Sequence, residues 1–251
     1  MEKFLRFDGK NVVVTGGSGG IGEKICTLFA EKGARVIIAD IRADEAEIIE
    51  FYQTKGFELF YQPMDVSDPE SVRAGAASIR EKYGGADILV TAAGVGAVHP
   101  ALDYPDEAWQ RVLSINLNGT FYCAREFARH MIEKGKGSMI CISSIAALKA
   151  LRPETNISYG VSKAAVTHLC KLLASEWTEY NIRINAVAPG YTATGALTKM
   201  QNYLPLWLEQ IPMHRLLEPL EIAQAVLFLA SDAASGITGT QLMVDGGYSA
   251  W

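Results

Sequence analysis

Seven short runs rich in β-branched and apolar residues recur along the chain, and each of the first six is followed by a longer stretch of helical period. No other feature restricts the fold as much. Parallel strands need a crossover of a dozen or more residues to return to the same edge, and a helix fills that crossover. The strands are expected at Asn11–Thr15, Arg35–Ala39, Glu58–Gln62, Ile88–Thr91, Ser138–Ser143, Arg183–Ala188 and Gln241–Val244. Several are nearly continuous in apolar residues, as strands covered on both faces must be. Helices are expected at Ile21–Lys32, Ala43–Lys55, Pro69–Lys82, Asp106–Lys134, Tyr159–Glu179 and Leu220–Ala230, with Gly33 and Gly56 closing the first two. The pattern predicts an α/β fold, a doubly wound parallel sheet with helices on both faces. Its 251 residues suit one domain spanning 1–251 without linker or repeat.

Charge and composition remove several functions. With 23 Lys+Arg against 28 Asp+Glu, a net charge of -5 and no basic run, the chain lacks the clustered cations that bind nucleic acid. The start, Met1 to Lys10, has no apolar core like a signal peptide's, and no window approaches the roughly 18 apolar residues of a membrane span. A cytoplasmic protein is expected, bound to neither nucleic acid nor membrane. Cys26, Cys123, Cys141 and Cys170 are far apart in sequence and read as core thiols in a reducing compartment, with no metal-ligand spacing among them.

The segment Thr15–Gly22 follows the first strand and opens the first helix, with Gly16, Gly20 and Gly22 in GxxxGxG spacing around Ser18 and Ile21. Missing side chains let backbone amides approach a pyrophosphate, whose charge is favoured at a helix N-terminus. Asp40 ends the second strand about twenty residues on, where a carboxylate accepts from both adenosine-ribose hydroxyls and repels a 2′-phosphate. This favours NAD over NADP, although Arg42 is a cation able to hold such a phosphate. Asp65-Val66 after the third strand places a carboxylate at an adenine amino group or caps the helix near Pro69. Ala93 and Gly94 offer another close backbone approach.

Tyr159 and Lys163 stand four residues apart and share a helical face. An ammonium beside a phenol stabilises phenolate and suits the pair to acid/base work. Ser143-Ser144 ends a buried strand and adds a hydroxyl for a substrate carbonyl. With Thr15–Gly22, Asp40, Asn116, Ser144, Tyr159, Lys163 and Pro189-Gly190 in this order, the chain resembles the short-chain dehydrogenase/reductase family from Lys10 to Trp251, including the Asp245-Gly246-Gly247 turn. The resemblance implies a single-domain Rossmann fold with seven strands.

It also implies a catalytic tetrad of Asn116, Ser144, Tyr159 and Lys163. Tyr159 as phenolate takes the alcohol proton and with Lys163 also contacts the cofactor, Ser144 bonds the substrate oxygen, Lys163 bonds the nicotinamide ribose and tunes Tyr159, and Asn116 holds a relay water. Ser144 is preferred to Ser143 because small residues, Ile145 to Ala147, follow it. Pro189, Gly190, Thr192 and Thr194 fall where the family positions the nicotinamide. Two departures stand out. Thr91-Ala92-Ala93-Gly94 replaces the usual Asn-Asn-Ala-Gly turn, and the stretch from Ser144 to Tyr159 is about two residues longer than usual. Substrate contacts are expected from Ser144, Ala146, Asn156 and Tyr191, with Thr155 and Ser158 either joining them or capping the next helix, and with His99 and Trp207 as pocket or packing residues. The irregular segment 191–215 is expected to form a flap.

The C-terminal Gly247–Trp251 and the stretch Ile115–Cys123 look most like the family's polyol and sugar-alcohol dehydrogenases. The activity so implied is NAD-dependent interconversion of a secondary alcohol, a small polyol first, and its ketone. The alternatives are a β-ketoacyl or general carbonyl reductase, and a silent nucleotide-binding scaffold. The family's pairing of helices between subunits implies a homotetramer.

Overall fold

The structure, a computed structural model, describes residues 5–42, 44–195, 197 and 202–251. Among these, β1 (Asn11–Thr15), β2 (Arg35–Asp40), β3 (Leu59–Pro63), β4 (Ile88–Thr91), β5 (Gly137–Ile142), β6 (Ile182–Pro189) and β7 (Gln241–Val244) form one parallel sheet. The strand order is β3-β2-β1-β4-β5-β6-β7. Each strand lies within one residue of its expected bounds. Alternation along a strand divides its side chains between two layers: Val12 and Val14 join one core while Val13 joins the other. The chain reverses its direction of winding between β1 and β4, and ligands of such sheets bind at the carboxyl ends beside that reversal.

Helices α1 (Gly20–Glu31), α2 (Glu45–Gln53), α3 (Pro69–Tyr83), α4 (Asp106–Leu113), α5 (Gly119–Lys134), α6 (Ile157–Trp177), α7 (Leu204–Gln210) and α8 (Pro219–Ala230) cover the sheet. On one face Ile25 and Phe29 of α1 pack with Val226 and Leu227 of α8. The opposite face buries Ile79 of α3, Phe127 of α5 and Val166 of α6. The start expected for α2, Ala43, lies outside the described residues.

One expected helix is divided. Asp106–Lys134 is not continuous, because a π turn at Ser114–Asn118 separates α4 from α5, with the Gly119 amide reaching back five residues to the Ser114 carbonyl. Such turns carry one extra residue and re-aim the side chains they contain. Asn116 sits in its middle, fully buried.

A third, smaller cluster of Ile145, Leu151, Tyr191, Trp207 and Tyr248 fastens the β5–α6 loop to the segment after β6 and to the C-terminal turn. Of the expected flap at 191–215, residues 196 and 198–201 lie outside the described ones. The remainder is anchored by a bridge from Thr192 to Leu217 and by α7, whose first turn holds Pro205. The four cysteines are buried and unbridged. Cys141 of β5 and Cys170 of α6, distant in sequence, belong to the same core cluster. No helix among the described residues is long and apolar enough to cross a membrane, and none of their His, Cys, Asp and Glu residues cluster to hold a metal.

Candidate active site

The glycine-rich turn leads from β1 into α1. Gly16 takes a left-handed φ of 66°, and a Cβ there would lie 2.7 Å from the Ala93 Cα. One on Gly22 would lie 2.2 Å from the Gly16 carbonyl oxygen. The turn is therefore packed against the end of β4 in a way no side chain permits. Gly19 precedes α1 without any side-chain cap, so the first amides of this 12-residue helix keep their hydrogens for a ligand. Open space surrounds Gly19, and the methyl of Thr194 lies 3.8 Å from the Gly20 Cβ position. A bare helix N-terminus behind a glycine-rich turn, whose one side chain, Ser18, is turned to Asp40, fits the pyrophosphate of a nicotinamide dinucleotide.

Asp40 closes β2 beside that turn. One carboxylate oxygen accepts from the Ser18 hydroxyl at 2.5 Å and amide at 3.2 Å, and the other from the Ile41 amide at 2.8 Å. Arg42 is occupied by Asp44 and by the Ser18 carbonyl. Of the two roles open to Asp65, capping is excluded, since Asp68 caps α3 by accepting from the Glu70 amide at 3.0 Å. Asp65 is exposed and accepts from Ser67, while Val66 is buried against Gly119 at the head of α5.

The turn Thr91–Gly94 lacks its usual asparagines, and two other residues brace it. Thr15 accepts from the Ala92 and Ala93 amides through its carbonyl and hydroxyl. The Asn116 amide then clamps Val95, accepting from its N–H and donating to its carbonyl, both at 2.9 Å, and donates again to Ser162 at 3.0 Å. Two donors and one acceptor position of the Asn116 side chain are thereby committed to bracing the loop. Spacing pointed to Asn116 but not to this bracing, which needs the π turn.

Ser144, Tyr159 and Lys163 converge beside this loop. The Ser143 hydroxyl is tied to the Lys163 carbonyl and to Thr167, whereas the Ser144 oxygen accepts from the Ala146 amide and its hydroxyl is left to the Tyr159 phenol. The Lys163 ammonium donates to the Ile142 carbonyl at 2.7 Å, lies 5.6 Å from the Tyr159 ring centre and 3.4 Å from the Cβ position of Gly94. Electrostatics here differ from the sequence expectation. Exclusion of water pushes the Tyr159 phenol above its usual pKa of 10, with only a hydrogen bond from Ser144 pulling it back. Burial likewise lowers Lys163 from its usual 10.5 to about 8.

The Lys163 shift has a measurable sign. In the unfolded chain the amine binds its proton up to pH 10.5, in the folded chain only to about 8, so stability rises with pH across that window. Lys163→Met removes this dependence. Between about pH 7.5 and 9.5, urea denaturation without cofactor should show wild type gaining roughly 2 kcal/mol on the variant; parallel pH curves would contradict a depressed Lys163.

A cavity of about 400 Å³ opens over Ser144 and Tyr159 and reaches Ile21, Pro189, Gly190 and Thr194. Asn156, Tyr191 and Thr192 also line it. Ala146 does not: it is buried beneath the site and serves through its amide. Asn156 makes no side-chain cap, and Ser158 is withdrawn into a bond with Tyr104. His99 packs edge-on against Tyr104, and Trp207 is buried in a stack on Tyr191. A larger cleft of about 910 Å³ lies at the opposite ends of the strands, near Lys10 and Arg183, away from this chemistry. The cavity wall also holds a charged residue not singled out in the sequence, Glu154, which is only 8% exposed.

A family model described as enoyl-(acyl carrier protein) reductase matches residues 16–249. The chain is 42% identical over 251 residues to galactitol 2-dehydrogenase (L-tagatose-forming) of Cereibacter sphaeroides, covering 98% of each chain. It is 36% identical over 256 residues to NAD-dependent glycerol dehydrogenase of Listeria innocua, covering 99% of this chain and 97% of that one. Among solved structures, a gluconate 5-dehydrogenase from Burkholderia cenocepacia in complex with NADP and tartrate superposes with a TM-score of 0.94 at 31% identity, covering 100% and 99%.

Proposed function

Because the chain belongs to the short-chain dehydrogenase/reductase family, we propose that it interconverts a secondary alcohol of a polyol or sugar alcohol and the corresponding ketone with NAD. The observation that carries this reading is that Ser144 and Tyr159, with Lys163 buried 5.6 Å from the Tyr159 ring centre, line one cavity that also touches the bare end of α1 through Ile21 and reaches Thr194. The bound dinucleotide supplies the two-electron acceptor and donor. Gly16, Gly20, Gly22 and the first amides of α1 hold its pyrophosphate, Asp40 and Ser18 its adenosine ribose, Asp65 and Val66 its adenine edge, and Ala93, Gly94, Pro189, Gly190, Thr192 and Thr194 its nicotinamide end.

In the oxidative direction the Tyr159 oxygen takes the proton of the substrate hydroxyl, and in reduction it returns one. Ser144 donates to the substrate oxygen, concentrating hydrogen-bond donors where charge develops during reaction. Lys163 keeps ammonium hydrogens beyond the one given to Ile142, and these suit ribose hydroxyls. Asn116 holds the loop at Val95 that faces them. A homotetramer belongs to the same reading: Ile157, Val161 and Leu172 expose an apolar stripe along α6 that a second copy can cover.

The test is a screen of galactitol, D-threitol, glycerol, simple secondary alcohols, hydroxy acids and a β-ketoacyl thioester, each with NAD(H) and NADP(H), followed by nicotinamide absorbance. Polyols with NAD are expected to give the highest kcat/KM. Preference for the thioester with NADPH would replace this reading with the reductase alternative, and no turnover of any substrate would favour the silent scaffold.

A further inference from the structure

We infer that Glu154 is a substrate-binding residue that selects neutral polyhydroxy substrates by accepting a hydroxyl distant from the reacting carbon. The inference rests on the polyol reading above and deepens it. Glu154 lies in the β5–α6 loop and lines the same cavity as Ser144, Asn156 and Tyr159. Its Oε1 is held in place, accepting from the Trp207 indole N–H at 2.7 Å and the Tyr191 hydroxyl at 3.1 Å. Those two rings stack at 4.6 Å, and Tyr248 closes on Tyr191 edge-on, so the carboxylate cannot swing away without breaking the aromatic cluster. Its Oε2 is buried and has no hydrogen-bond partner among the described residues.

A carboxylate fixed through one oxygen and left short of donors at the other is costly unless something completes it, since buried acceptors to charged groups lose their hydration without return. Neither of its two protein donors is a cation. Glu154 borders the cavity that holds Ser144 and Tyr159, so the cavity is the side from which a substrate hydroxyl can approach its carboxylate. A polyol brings several hydroxyl donors besides the one that reacts. A simple alcohol brings none, and a sugar acid brings a second negative charge to a site that already holds one. Sites built to hydrogen-bond a substrate hydroxyl discriminate strongly against analogues without it, because the protein group is then left unpaired.

The experiment compares wild type with Glu154→Gln on galactitol or D-threitol, on 2-butanol and on D-gluconate, with melting temperature and NADH affinity measured for both. Gln keeps the shape and an acceptor for Trp207 and Tyr191 but removes the charge. Expected is a fall of about 10- to 100-fold in kcat/KM on the polyol, with little change on 2-butanol, a relative gain on gluconate and unaltered NADH affinity. Trp207→Phe, which leaves the carboxylate but removes its shorter hydrogen bond, should weaken polyol selectivity in the same direction if Gln at 154 does not fold. Equal losses on polyol and 2-butanol would overturn the inference, assigning Glu154 to the scaffold or to an ordered water. If wild type turns over no polyol, the reading beneath it falls first, an outcome distinct from retained polyol activity with unchanged selectivity.

Discussion

Tyr159→Phe is expected to lower kcat/KM for the preferred polyol by between about 100- and 10,000-fold, the range in which a positioned general base contributes. Phe preserves the ring that packs against Ile145 and Leu151 in the cluster beneath the cavity. It removes only the oxygen that exchanges a proton with substrate. NADH affinity should stay within about threefold, because the phenol is one dinucleotide contact among many and the rest are untouched. The wild-type pH profile makes the test sharper. The phenol is pushed upward by burial, so oxidation draws on a phenolate fraction that grows as pH rises, and kcat/KM for oxidation should climb toward alkaline pH. That climb should vanish in the variant. A variant keeping more than about a tenth of the activity with the same pH profile would transfer the base role elsewhere.

The sheet and its helices were legible because local and tertiary requirements coincide there. Strands buried on both faces need apolar runs, and the crossovers need helical periods of the right length, so each sequence signal also states a packing fact. The break between α4 and α5 was not legible, although Asn116 was noted as an amide in an otherwise helical stretch. A π turn costs no glycine or proline, and its reason is tertiary: it brings Asn116 to Val95. Ser144, Tyr159 and Lys163 were readable because the chemistry requires those residue types at nearly fixed separations. Glu154 was not, since its meaning depends on Trp207 and Tyr191 arriving from distant parts of the chain. The phenol's environment was misjudged for a related reason. Helical spacing promised proximity to Lys163, but the ammonium is 5.6 Å from the ring centre and donates to Ile142, and burial sets the direction of the phenol's shift.

Removing the charge of Asp40 is the second large effect, and it is read in cofactor preference. A carboxylate at that position both accepts from ribose hydroxyls and repels a 2′-phosphate. Two unit charges about 4 Å apart near a protein surface interact by roughly 4 kcal/mol, and salt at this open mouth reduces that to about half. Hydrogen bonds to the charged group add about 1.5–3 kcal/mol on the NAD side. Asp40→Ala should therefore move the ratio of kcat/KM for NADP over NAD upward by roughly 300- to 5,000-fold. Arg42 makes the change larger than loss of repulsion alone. It is half-exposed at the same mouth, occupied by Asp44 and the Ser18 carbonyl, and free to turn toward a phosphate once Asp40 no longer opposes it. Adding Arg42→Ala should take back about tenfold of the NADP gain. Asp40 also steadies Ser18 through its hydroxyl and amide, so loss of the side chain loosens the glycine-rich turn for both cofactors. Asp40→Asn separates the two effects, since it retains an acceptor for Ser18 while removing the charge: it should shift the ratio in the same direction with less loss of overall activity. A ratio that moves by less than about threefold in both variants would mean that the ribose end is read by other groups.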